Sequence, residues 1–149
     1  MGTLILPPHG VVYADANSII YRVEQVQSYL AVAAPLWDAL DAGRQEVLTS
    51  ELSVLEVLVK PIRLGDPSIE NLFRQMLYWT RGFSLAPISR TVLEEAARLR
   101  ALTGLKTLDA IHAATALLGG CALFVTNDPA FQRVPGLRVV VLYEVAATP

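Results

Sequence analysis

The sequence predicts an α/β domain built on a parallel sheet. Short runs of apolar, β-branched residues alternate along the chain with longer segments of helical periodicity, and this alternation is typical of parallel α/β folds. The short runs are almost continuously apolar, as expected for strands that helices cover on both faces. No repeat, low-complexity tract or linker divides the 149 residues. We therefore expect a single domain over residues 1–149, with its core at about residues 11–142.

Five segments are predicted to form the strands of this sheet. Each is rich in valine, leucine or other apolar residues, and each is bounded by polar residues, glycine or proline. The predicted strands are residues 11–14, 46–49, 84–88, 122–126 and 138–142.

Six segments with helical periodicity lie between the predicted strands, at residues 17–22, 28–42, 51–59, 68–80, 92–102 and 108–118. Thr91 and Glu94 have the spacing of a capping box at the start of the fifth helix. Pro61 is predicted to close the third helix, because proline lacks the backbone donor that a helix interior needs. Further start and stop signals are Ser50, Thr107, Gly43 and Gly119.

Composition excludes several classes of protein. The formal net charge of −2 does not attract polyanions, so a nucleic-acid partner would need a local basic patch or bound cations. The single cysteine, Cys121, cannot form an internal disulfide or a cysteine-based zinc site, which agrees with a reducing compartment. The apolar runs are shorter than the about 20 residues that span a bilayer, and the amino terminus has no signal-peptide pattern. We therefore expect a cytoplasmic protein with no membrane contact.

Four acidic residues lie at strand ends or on apolar helices, where a charged carboxylate is costly unless something compensates it. Asp15 directly follows the first predicted strand, and Asp128 follows the fourth; in open parallel sheets, ligands bind outside the carboxyl ends of the strands. Glu56 interrupts the apolar face of the third helix, and Asp109 lies in the first turn of the very apolar sixth helix. We predict that these four acids converge on one pocket and jointly hold a divalent cation.

Each acid also has an ordinary structural explanation. Asp15 could cap the first helix, Asp109 could favour its helix dipole, and Asp128 could form a turn before Pro129. Glu56 could be a surface residue of a helix whose register differs by one position. Four such coincidences at strand exits and helix starts are less plausible than one shared site.

The same segments carry a family resemblance. YADANSIIY, TSELSVLE, LKTLDAIHAATAL and LFVTND, in this order, resemble the signature of the PIN domain family, particularly its VapC-type toxins, over about residues 11–142. The resemblance implies a Rossmann-like, three-layer α/β/α fold with a five-stranded parallel sheet. It also implies a Mg²⁺- or Mn²⁺-dependent ribonuclease, a homodimer and a cognate antitoxin.

By position, the resemblance assigns catalytic and metal-binding roles to the acidic quartet of Asp15, Glu56, Asp109 and Asp128. Asn17 and Thr126 match the secondary polar residues beside the first and last acids. Asn127 differs from the family pattern, because many relatives have a basic residue at that position.

This set of ligands suits a hard cation. Carboxylate oxygens without clustered histidine or cysteine favour Mg²⁺ or Mn²⁺, which would also remove the repulsion between the acids. Such ions activate water and stabilise the charge that builds during phosphodiester hydrolysis. We expect Asp15 and Asp128 to be direct ligands, and Glu56 and Asp109 to bind directly or through water. His112, one turn after Asp109, is predicted to be structural, with its ring satisfied by a backbone carbonyl.

Two alternatives to a nuclease remain at this level. One is a phosphatase with Asp15 as covalent nucleophile, although such sites usually have a second acid where this chain has Asn17. The other is a non-catalytic binding module whose acidic pocket grips a basic peptide.

Five basic residues could approach the pocket and hold RNA: Arg22, Lys60, Arg63, Arg90 and Lys106. The aromatic cluster at residues 76–83 is expected to be core or an oligomer interface. An antitoxin could inhibit by inserting an arginine-bearing segment among the acids. A mean hydropathy of +0.43 also favours a homodimer.

Overall fold

Five short strands form one parallel sheet in the computed structural model, which describes residues 1–149. They are β1 (Val12–Ala14), β2 (Val47–Ser50), β3 (Phe83–Ala86), β4 (Leu123–Thr126) and β5 (Val139–Val141). The strand order is β3-β2-β1-β4-β5, and every neighbouring pair is parallel. The chain therefore builds the sheet outward from β1 in both directions, and the carboxyl ends of β1 and β4 meet where the order reverses.

Seven helices connect and cover the strands. They are α1 (Ala16–Val23), α2 (Gln27–Asp41), α3 (Leu52–Arg63), α4 (Pro67–Trp79), α5 (Arg90–Thr103), α6 (Thr107–Leu118) and α7 (Leu142–Ala146). A 3₁₀ helix at Pro129–Arg133 follows β4. The predicted α/β fold with a five-stranded parallel sheet is confirmed. No helix combines the length and the apolar character that a bilayer span requires.

The sheet separates two apolar layers. Val12 and Ala14 of β1 pack in the layer that includes α1, α2 and α4, whereas Tyr13 between them packs in the layer that includes α5 and α6. The same alternation places Val125 in the first layer and Phe124 in the second. These layers explain why the strand segments are apolar at most positions, whichever face of the sheet a residue lies on.

The structure changes two of the predicted helix ends. The capping box at Thr91 is wrong: α5 begins earlier, and the side chain of Ser89 caps it by accepting from the Val92 N–H at 3.2 Å. Pro61 does not end the third helix, because α3 continues through it to Arg63. Pro61 is buried in the last turn, where its missing donor costs only one helical hydrogen bond.

Other boundary signals act in the predicted places with different chemistry. The N-cap of α3 is Glu51, not the predicted Ser50, although the Ser50 hydroxyl still accepts from the Leu52 N–H at 3.1 Å. Thr107 is the first residue of α6 rather than its N-cap, which is Lys106 and provides no side-chain hydrogen bond. Neither α7 nor the 3₁₀ helix was predicted, because each is too short to show a helical period.

Candidate active site

Asp15 is held rigidly at the carboxyl end of β1. It is the N-cap of α1, and its Oδ1 accepts from the Ser18 backbone N–H at 3.0 Å and lies 2.8 Å from the Ser18 hydroxyl. Its Oδ2 accepts from the Thr126 hydroxyl at 2.6 Å. The residue is only 5% exposed, so burial raises its pKa, while the hydrogen bonds from Thr126 and Ser18 oppose that rise. Asp15 is thus both a helix cap and a buried carboxylate at the switch point.

Thr126 connects the first and last acids of the predicted quartet. It is fully buried at the end of β4, and its Oγ1 accepts from the Asp128 backbone N–H at 3.0 Å while donating to Asp15. Asn17, by contrast, is exposed in the first turn of α1, and its side chain makes no hydrogen bond. Ser18 takes the place beside Asp15 that the sequence had suggested for Asn17. The i, i+3 spacing of an aspartate N-cap and its serine was the signal that could have identified it.

Asp128 is half-buried and caps the 3₁₀ helix, because its Oδ1 accepts from the Ala130 N–H at 2.9 Å. Its Oδ2 makes no hydrogen bond within the protein. The preceding Asn127 bonds to the Tyr21 hydroxyl at 3.2 Å and accepts from the Tyr143 N–H at 2.9 Å. Asn127 therefore ties the strand exit to α1 and α7, and its amide is occupied by these structural contacts.

Glu56 is fixed by a histidine that the sequence did not assign to it. His112 Nε2 lies 2.5 Å from Glu56 Oε1, and His112 Nδ1 lies 2.6 Å from the Tyr13 hydroxyl. The expectation that a backbone carbonyl satisfies this ring is wrong; two side chains from β1 and α3 do so. Its structural character is retained, since the His112 side chain is 3% exposed.

Asp109 experiences the charges of the other acids. It is half-buried in the first turn of α6 and its carboxylate makes no hydrogen bond. Burial raises its pKa, and the negative charges of Asp128 and Glu56 raise it further, whereas the positive charge of Lys106 lowers it. Asp128 and Glu56 are therefore close enough to Asp109 for their charges to raise its pKa, and Thr126 joins Asp128 to Asp15.

The donor set suits a hard divalent cation, although its side chains do not form a closed ligand shell. Nowhere in the chain are three histidine, cysteine or acidic side chains grouped so that they could hold one metal ion. The available ligands are all oxygens: both oxygens of Asp109, the free oxygens of Asp128 and Glu56, and the lone pair of Asp15 Oδ2 that the bond from Thr126 leaves unused. A cation between them would relieve the repulsion that raises the Asp109 pKa. The residues fit Mg²⁺ or Mn²⁺ in chemistry and charge, and ligation would require the Asp109 side chain, which has no hydrogen bond, to move or water to complete the ligand shell.

The fold and this site define a class of protein, a doubly wound α/β protein with carboxylates at its switch point. Residues 12–137 match the family model of the PIN domain. The chain belongs to the PIN domain family. No curated protein sequence matches it at a significant level.

Solved structures share its fold at low sequence identity. The Rickettsia felis VapBC2 complex bound to a promoter DNA fragment has a chain that superimposes with a TM-score of 0.70 at 15% identity, covering 88% of this chain and 98% of its own. DNA-bound VapBC from Salmonella typhimurium gives 0.66 at 16% identity, covering 90% and 99%. A toxin-antitoxin complex from Klebsiella pneumoniae gives 0.60 at 24% identity, covering 89% and 98%.

Proposed function

We propose that the protein is a divalent-metal-dependent endoribonuclease and the toxin of a type II toxin-antitoxin pair, acting in the cytoplasm. The observation that carries this proposal is the placement of Asp15 and Asp128 beyond the adjoining carboxyl ends of β1 and β4. Asp109 lies within the fields of Asp128 and Glu56, and Thr126 links Asp128 to the buried Asp15. A fold that keeps like charges together against their repulsion favours a site for a cation. Membership of the PIN domain family supports nuclease chemistry at that site.

Each acid has a distinct part in the proposed reaction. Asp15 and Asp128 would hold Mg²⁺ or Mn²⁺ directly, since both are fixed by hydrogen bonds that leave oxygen lone pairs free. Asp109 and Glu56 would bind the cation directly or through water. The Asp109 carboxylate makes no hydrogen bond in the protein, so it is free to orient the attacking water. When bound, the cation supplies Lewis-acid activation of the phosphodiester and of water. Thr126 and Ser18 would keep Asp15 ionised and oriented.

The contacts of Asp15 disfavour the phosphatase alternative. A covalent nucleophile needs an oxygen that can approach phosphorus, but three donors already surround this carboxylate and it is 5% exposed. The binding module remains a real alternative, because a repulsive acidic pocket would also attract a basic peptide. Retained affinity for Mn²⁺ without hydrolysis of RNA would favour that module.

The proposed antitoxin would inhibit by placing an arginine-bearing segment among the acids, where it would replace the cation. The Klebsiella pneumoniae structure, a toxin-antitoxin complex, supports a protein partner of this kind. A groove between α1 and α4 could receive the apolar part of the partner, since Leu72 and Trp79 are exposed there beside Arg22. A complex whose partner leaves the acids accessible and active would contradict this mode of inhibition.

A homodimer is the proposed active form, and α3 provides a face for it. Leu55, Val59 and Ile62 form an exposed apolar stripe along this helix, flanked at opposite ends by Glu51 and Arg63. Antiparallel pairing of two α3 helices would bury the stripe and place these opposite charges together. Light scattering at micromolar concentration should give a dimer, which Leu55→Asp should dissociate. Monomeric wild-type protein would refute this part of the proposal.

The decisive experiment is cleavage of total cellular RNA by the purified protein. Cutting should require Mg²⁺ or Mn²⁺, stop with chelator and disappear in Asp15→Asn. Asp38→Asn is a matched control, because Asp38 is an exposed acid of α2 without a hydrogen bond. If folded, inhibitor-free wild-type protein leaves RNA intact in both metals, the nuclease is wrong. Equal cutting by wild type and Asp15→Asn would exclude this site as the catalytic one.

A further inference from the structure

His112 joins two other elements of the fold through hydrogen bonds of both its ring nitrogens. Its ring is buried in α6, yet each of its nitrogens contacts a side chain from a different element: the Tyr13 hydroxyl of β1 at 2.6 Å and the Glu56 carboxylate of α3 at 2.5 Å. Tyr13 is itself fixed, since its ring stacks on Phe124 at a centroid distance of 4.9 Å. A chain of contacts therefore runs from the buried sheet to an acid of the candidate site.

The chemistry of the partners assigns the hydrogens. An ionised carboxylate can only accept hydrogen bonds, so His112 Nε2 must carry the hydrogen and donate to Glu56. In the neutral ring, Nδ1 is then the acceptor, and the Tyr13 hydroxyl donates to it. Burial raises the pKa of Tyr13 well above its ordinary value, which keeps this donor protonated. Tyr13 thus selects the histidine tautomer that can hold Glu56.

This arrangement opposes what Glu56 would do alone. Its side chain is long and 25% exposed, and the negative charge of Asp109 repels it. Without a partner, Glu56 would gain rotamer freedom and lower the repulsion by turning toward solvent. The bond from His112 uses Oε1 only, and Oε2 makes no hydrogen bond in the protein. One oxygen is fixed in place and the other stays available.

We propose that His112 is a positioning residue that holds Glu56 beside Asp109 through its Nε2–H, so that Glu56 Oε2 is available to a divalent cation. The metal part of this inference rests on the proposed function, whereas the hydrogen bond does not. A purely structural alternative is that His112 only joins α6 to β1 and α3. The two explanations differ in which nitrogen matters for metal affinity.

Two conservative variants separate the two ring nitrogens. In His112→Gln, the terminal amide reaches the position of Nε2 and can donate to Glu56, whereas in His112→Asn the shorter amide stands near Nδ1 and keeps only the contact with Tyr13. We expect the Mn²⁺ dissociation constant, measured by electron paramagnetic resonance, to stay within about threefold of wild type for Gln and to rise at least about tenfold for Asn. Thr115→Val is the control, because it removes a buried hydroxyl from the same helix that bonds only to the Ile111 carbonyl.

A second measurement tests the hydrogen bond without metal. Nitrogen NMR of the wild type, with only His9 as the other histidine, should show a protonated Nε2 and an unprotonated Nδ1 for His112, and Glu56→Ala should shift the Nε2 signal. Equal Mn²⁺ affinity in the Gln and Asn variants, or a proton on Nδ1 instead of Nε2, would overturn the proposal. If the NMR result is as expected but the wild type and Asp15→Asn both fail to bind Mn²⁺, the metal function is wrong and Glu56 positioning toward a cation falls with it.

Discussion

Replacing Thr126 with valine tests the connection between the first and last acids. Valine has nearly the shape of threonine and suits a strand, so the change removes a hydroxyl and leaves no cavity. The lost hydroxyl donates to Asp15 at 2.6 Å and accepts from the Asp128 N–H at 3.0 Å. A hydrogen bond to a charged group contributes about 1.5–3 kcal/mol and a neutral one about 0.5–1.5 kcal/mol. At neutral pH, we expect a loss of about 2–4.5 kcal/mol, or roughly 4–18 °C in Tm.

The loss should depend on pH in a defined direction. Burial raises the pKa of Asp15 in the folded protein above its ordinary value of 3.8. The folded protein therefore has its full stability at low pH, where the carboxyl is protonated, and loses stability as pH rises through the folded pKa. The Thr126 hydroxyl stabilises the charged form and limits this loss. Without it the folded pKa is higher still, and stability declines more steeply with rising pH. As pH falls through the folded pKa and the carboxyl becomes neutral, the difference between variant and wild type should fall by about 1–1.5 kcal/mol.

Urea unfolding of metal-free protein between about pH 8 and about pH 4 measures this difference directly. Thr115→Val is again the matched control, because its hydroxyl donates to the Ile111 carbonyl at 2.6 Å and contacts no charge. The control should lose stability by the same amount at every pH. A Thr126→Val loss below about 1 kcal/mol at neutral pH, or one that does not change with pH, would refute the reasoning.

Further variants test charge and capping. Asp109→Asn should stabilise the metal-free protein at neutral pH, because burial and the charge of Asp128 raise the pKa of Asp109, so that its ionisation costs stability as pH rises. The gain in stability should vanish in acid, and a thermal scan that finds no gain at neutral pH would contradict the prediction. Ser89→Ala should cost about 1 kcal/mol in urea unfolding through loss of the α5 cap, whereas Thr91→Ala should cost almost nothing. Equal losses would restore the capping box at Thr91.

The positions of Asp15 and Asp128 could be read from the sequence because strand exits are local features. An apolar run followed at once by an acid marks the carboxyl end of a strand, and a parallel sheet brings such ends to one edge. Their ordinary explanations also apply, since both residues cap a helix in the structure. Capping and membership of the site are compatible, because a cap uses one carboxylate oxygen and leaves the other for a different partner.

The role of Thr126 beside Asp15 is predicted by sequence position, but His112 required the structure. For Ser18, the i, i+3 spacing from a helix-capping aspartate is a local signal, whereas the bond from its hydroxyl to Asp15 is seen only in the structure. His112 looks like a histidine on a small-residue helix, because its partners lie 99 and 56 positions away. No local pattern reports contacts of that range.

Local sequence patterns predict the alternation of strands and helices, the apolar character of both layers, and the three acids at strand exits or helix starts together with Glu56 on an apolar helix face. Those properties follow from periodicity and from the short-range preferences of each residue. Tertiary structure alone decided that Asp109 lies within the fields of Asp128 and Glu56, and that Tyr13 reaches Glu56 through His112. The reason is physical: Coulomb interactions and side-chain hydrogen bonds depend on distance in space, and the fold sets that distance between residues far apart in the chain.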